Sequence, residues 1–152
     1  MKKPCLTTMM ATVLTVGLVH ASPVPVVDPN VVSIRTLGRW TSAGTTGQYR
    51  VIVTTDGWEH VWSHVFVEWL PDPTSPDVEP VPAAIAELRP PEFSEGTLLM
   101  DAVAEERSPG HLLVTVRATP NQDLREFGVR KTTYRFLATT PGAINFLHAA
   151  PK

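Results

Sequence analysis

Residues 48–70 read QYRVIVTTDGWEHVWSHVFVEWL, and this stretch decides the fold. In Gln48–Thr55, Tyr49, Val51 and Val53 alternate with Gln48, Arg50 and Ile52, the period of two that sends successive side chains to opposite faces of a strand. Tyrosine, valine, isoleucine and threonine also suit a pleated, half-buried surface. Asp56-Gly57 follows at once. Between two β-rich runs this dipeptide signals a tight hairpin, because the favoured turn needs positive φ at its central residues. The return strand runs from Trp58 to about Leu70, longer than an ordinary strand of about 5–6 residues, so a bulge or bend is expected within it.

On the N-terminal side, Val31–Trp40 reads as a strand ended by the turn-rich TSAGTTG. On the C-terminal side, PDPTSPDVEPVP (Pro71–Pro82) carries five prolines and three acids and cannot be an interior strand. It reads as a crossover that joins two sheets or passes along an edge. Ala83–Leu88 (AAIAEL) is either a short turn of helix or an edge strand. Three clearer strands follow. They are Thr97–Glu105, then His111–Thr119 with Leu112, Val114, Val116 and Ala118 on one face, then Val129–Thr139 with Tyr134 and Phe136 together. Turns at Ser108–Gly110, Pro120–Asp123 and Pro141-Gly142 separate them from one another and from Ala143–Leu147.

Seven or eight strands without a long helix make the fold all-β. The turn spacing favours a two-sheet antiparallel sandwich over residues 31–148, similar to immunoglobulin domains in architecture, with a small closed β-barrel as the alternative. The likeness is one of architecture alone. No family motif accompanies it, and the paired cysteines of antibody domains are absent.

The chain's 152 residues suffice for one domain, and 43% hydrophobic against 18% charged residues is a globular balance. Lysine and arginine number 13 against 15 acids, a balance that argues against a basic surface for nucleic acid or an anionic membrane. Residues 1–21 have the organisation of a secretory signal peptide. Lys2 and Lys3 open it, an apolar run spans Met9–Val19, and Val19 and Ala21 are placed for cleavage between Ala21 and Ser22. The apolar run is short of the ~20 residues a membrane helix needs, so no span is expected after cleavage. Cleavage takes the net charge from −2 to −4 and removes Cys5, the only cysteine. The expected product is a disulfide-free periplasmic or secreted domain, opening with an extended, proline-rich leader at residues 22–30.

On a straight strand, Trp58, His60, Trp62, His64, Phe66 and Glu68 share one face, opposite Glu59, Val61, Ser63, Val65, Val67 and Trp69. With the valines in the core, the first set forms a stripe of aromatics, imidazoles and a carboxylate, a candidate binding surface for a protein or a polysaccharide. A bulge near Ser63 would swap the parity and carry Trp62 or Phe66 into the core instead.

Metal and catalytic readings are weaker. His60 and His64 stand ~13 Å apart on a strand, too far for one ion. Copper or zinc handling would need His111 or His148 from another strand. Ser63 and His64 are adjacent and point to opposite faces, and so do Glu105 and Glu106. Neither a nucleophile elbow, nor H-E-x-x-H, nor a glycine-rich phosphate loop occurs, and Arg130-Lys131 reads as a solvated strand face. The sequence therefore points to a non-catalytic binding module without cofactor or resident metal, with a metal-handling protein as the alternative.

Overall fold

The computed structural model describes residues 28–57, 61–90, 98–120 and 132–151. Its strands are β1 (Val31–Ser42), β2 (Thr45–Asp56), β3 (Trp62–Pro71), β4 (Ala84–Glu87), β5 (Leu98–Ser108), β6 (His111–Pro120), β7 (Thr132–Ala138) and β8 (Ile144–Pro151). They form two four-stranded antiparallel sheets, β1-β2-β3-β4 and β5-β6-β7-β8. The chain is the expected sandwich, built as two consecutive meanders. Among the described residues no ladder joins the sheets, so the closed barrel is not what forms. An immunoglobulin domain shares the two layers but distributes its strands between them out of chain order. Here one sheet is completed before the other begins.

Alternation places the core where the sequence predicts. Tyr49, Val51, Val53, Val65, Val67 and Trp69 from the first sheet meet Leu112, Val114, Val116, Ala118, Tyr134 and Phe136 from the second. Burial of each large apolar side chain stabilises the fold by about 1.5–3 kcal/mol. Polar atoms of the core aromatics also tie the layers together. Trp69 Nε1–H donates to Thr139 O at 3.0 Å, and the Tyr49 hydroxyl lies 2.8 Å from Gly110 O and 2.7 Å from Thr139 O. Burial pushes the Tyr49 phenol above its ordinary pKa, and the charge of Glu106 adds to this. The hydrogen-bonded Trp69 opposes it only in part.

Three connections differ from the sequence reading. β1 and β2 extend through TSAGTTG to meet at the two-residue turn Ala43-Gly44, whose φ values of 48° and 80° are those of a tight hairpin turn. The sequence places a turn in this segment but not at these two residues, because alanine seldom adopts positive φ. The Asp56-Gly57 signal marks a hairpin, but the connection is longer than two residues, since Asp56 pairs with Trp62. β3 accordingly starts at Trp62, and its register against β2 is unbroken to Pro71, without the expected bulge. The proline-rich segment does not cross between sheets. It leaves β3 and returns to β4 on the same sheet, and Ala84–Glu87 is the edge strand rather than a turn of helix.

Gly47 shows how closely β2 and β3 meet. A Cβ at this buried position would overlap the carbonyl of Leu70, so only glycine fits. The signal peptide, most of the leader, Trp58, His60 and Arg130-Lys131 lie outside the described residues.

Candidate functional site

The unbroken register of β3 fixes which residues face outward. Ser63, Val65, Val67 and Trp69 are buried beneath the sheet, while Trp62, His64, Phe66 and Glu68 lie on the opposite face. Four of the six stripe residues are thus placed on one outer face, with Trp58 and His60 outside the described set.

Cross-strand pairing builds the rest of this face. Phe66 lies between Ile52 on β2 and Glu87 on β4, and Ile52 is in turn opposite Ile34 on β1. Ile34, Ile52 and Phe66 therefore make an apolar row across three strands. Ile34 is 50% exposed and Trp62 40%, although each could have been hidden in a core by a change of parity. Ile85 on β4 pairs with Glu68 and is 59% exposed. The row lies on the outer face rather than in the core, with Ile34 open to solvent and Ile52 and Phe66 half-buried between their neighbours. Apolar residues gathered on an outer sheet face in this way suit an interaction surface.

The polar residues of the face are already engaged with one another. Arg50 Nε donates to Glu68 Oε2 at 2.5 Å across the β2–β3 pair, and Glu68 is only 7% exposed. Glu68 thus neutralises Arg50 and is not presented to a partner, a correction to its place in the stripe. His64 Nδ1 lies 2.8 Å from Glu87 Oε1, and Nε2 lies 3.8 Å from Asp56 Oδ2. An ionised carboxylate can only accept, so Nδ1 carries the hydrogen of the shorter contact. Partial burial alone would raise the Glu87 carboxyl. The His64 hydrogen bond, with the charges of Arg89 and His64, outweighs it and holds Glu87 below the usual carboxylate range. The imidazole also stands beside Phe66, ring centres 6.0 Å apart and planes within 20°.

This arrangement offers a flat apolar and aromatic shelf bordered by fixed charges. It brings His64 to two carboxylates on opposite sides of its ring, rather than to a second histidine. Among the described residues no group of three or more histidine, cysteine or acidic side chains is arranged to hold a metal ion. His111 is on the other sheet, where its Nδ1 lies 3.1 Å from Ser108 Oγ across the β5–β6 turn. Ser63 is buried on the side of β3 away from His64, with its hydroxyl 3.4 Å from that of Thr55.

Sequence reasoning missed Ile34, Ile52, Asp56 and Glu87 as members of this face. Each joins it through strand register. The Asp56-Gly57 signal, read as a two-residue turn, sets the register wrongly, and the order of β4 beside β3 leaves no local trace. No described helix is long and apolar enough to cross a membrane. Comparison with family models, curated proteins and solved structures finds no match.

Proposed function

We propose that this chain is an exported, non-catalytic binding module that engages a partner through the outer face of its first sheet. The observation that supports this reading is the outer-face row Ile34–Ile52–Phe66, exposed at Ile34 and half-buried at Ile52 and Phe66, with exposed Trp62 further along β3 on the same face. Rigid aromatic side chains present large contact area at low entropic cost, and sheets offer flat platforms on which such rings keep fixed spacing. The segment at residues 1–21 supports delivery to the periplasm or the outside, where the partner would be an envelope protein, a secreted enzyme or a polysaccharide.

Strand addition at the edges of this sheet is the less favoured mode. β1 carries register shifts between Val31 and Ser33 and between Leu37 and Arg39, and β4 is four residues long with prolines on both sides. Bulges, short strands and flanking prolines are the devices that keep an edge from pairing with another chain. The face is therefore favoured over the edge.

A crosslinking pull-down from native envelope extract, with wild type beside Trp62→Ala, tests the proposal. Capture by wild type and its loss in a Trp62→Ala protein of unchanged thermal stability supports it. Equal capture by both excludes this face, and unfolding of the variant would make Trp62 a structural residue.

A further inference from the structure

The connection between β3 and β4 is far longer than its task demands. Antiparallel neighbours are ordinarily joined by two to five residues, whereas residues 72–83 lie between Pro71 and Ala84. The two ends of this excursion are pinned. Asp72 N–H donates to Thr46 O at 2.9 Å, its carboxylate accepts from the Thr46 hydroxyl and Arg39, and Ala83 N–H donates to Trp69 O at 2.8 Å. A turn inside it is closed by Val78 N–H on Ser75 O at 3.3 Å. A compact loop with adjacent, anchored ends is a form that surface recognition often uses.

What it displays is apolar. Val78 is 57% exposed and Val81 79%, the latter between Pro80 and Pro82. Proline fixes its own φ and pushes the residue before it into extended conformations, so Glu79–Pro82 is held extended before any partner arrives. Nor do Pro80 and Pro82 have an N–H to pair in a sheet, which suits this stretch to side-chain recognition rather than strand addition. Charge adds a direction. From Pro71 to Leu88 the chain has four acids, Asp72, Asp77, Glu79 and Glu87, and no lysine, arginine or histidine. Asp72 and Glu87 are engaged by Arg39 and His64, which leaves Asp77 and Glu79 beside the two valines.

We infer that residues 75–82, SPDVEPVP, form a second interaction element, read by a partner protein whose groove is lined with aromatic rings and rimmed with basic side chains. Aromatic grooves recognise pre-extended proline segments because little conformational entropy is lost on docking. The basic rim complements Asp77 and Glu79. This element is separate from the outer-face row and does not depend on it.

The test places a photo-crosslinking benzoylphenylalanine at Val81, and in control chains at Val103, in the full chain expressed in its native cells. The expected result is one adduct from position 81 and none from 103, with the crosslink mapped to a partner peptide rich in aromatic and basic residues. The purified partner should then bind wild type at least about tenfold more tightly than Val81→Ser or Glu79→Lys, and bind Trp62→Ala as well as wild type. The absence of an adduct at position 81 would overturn the inference. So would a partner peptide of acidic character, or affinity indifferent to Val81→Ser. Loss of binding in Trp62→Ala alone would assign that partner to the sheet face instead.

Discussion

His64 directs its Nδ1 at the Glu87 carboxylate, 2.8 Å away, and so ties the short edge strand β4 to β3 by a side-chain contact that complements the backbone ladder. Glu87 titrates below its ordinary value of 4.5 in the folded chain. A depressed folded pKa gives stability that is fully present above the unfolded value and lost as pH falls through the folded one. Wild type should therefore lose more stability than Glu87→Gln between about pH 6 and about pH 3, as read from denaturant midpoints. Asp72 is also held low, chiefly by the Thr46 hydroxyl, but it titrates in both proteins, so their difference reports Glu87.

Arg50 and Glu68 form the most enclosed ion pair among those described, and removing one partner leaves the other charge short of solvent. Arg50→Met should destabilise by about 2–4 kcal/mol, towards the lower part of the range for buried pairs because the arginine keeps some exposure. Adding Glu68→Leu should recover most of that loss, since it removes the stranded charge. Urea unfolding of the two singles and the double gives the coupling directly.

At the Thr139 carbonyl, Tyr49 and Trp69 meet from the opposite sheet, their rings edge to face at 5.9 Å between centres. Tyr49→Phe should cost about 1–3 kcal/mol, because it removes the hydroxyl that reaches from the first sheet to two part-buried carbonyls of the second, Gly110 O and Thr139 O. The cost should be larger where Trp69 has already been replaced by phenylalanine, because the Thr139 carbonyl then loses its second donor and is left without a partner. A double-mutant cycle by thermal unfolding measures this non-additivity.

The β1–β2 turn holds an alanine at φ 48°. Ala43→Asn should stabilise the protein by about 1 kcal/mol, since asparagine tolerates that conformation better. Gly47→Ala should do the opposite, by about 3 kcal/mol, because its methyl would meet the Leu70 carbonyl. Both changes are read as shifts of the unfolding midpoint.

These residues also mark the boundary of what the sequence discloses. Period-two alternation in Gln48–Thr55 and in β3 identifies the core valines, Tyr49 and Trp69, because one face of each strand must be apolar to be buried. The same alternation puts Trp62, His64 and Phe66 outside. It says nothing of cross-strand neighbours, which depend on loop lengths. Taking Asp56-Gly57 as a two-residue turn conceals the Arg50–Glu68 and Asp56–Trp62 pairings, and with them the fact that Glu68 is consumed within the fold. The destination of the proline segment was equally hidden, because exclusion from a sheet interior constrains what a segment is, not which strand it reaches.

The most direct measurement is the affinity of the purified sheet-face partner for wild type and for Trp62→Ala, taken alongside the unfolding midpoint of each. Trp62→Ala should weaken binding at least about tenfold, or ~1.4 kcal/mol, while the midpoint stays within a few degrees of wild type. Unchanged affinity in the variant would contradict a binding role for the outer face of the first sheet.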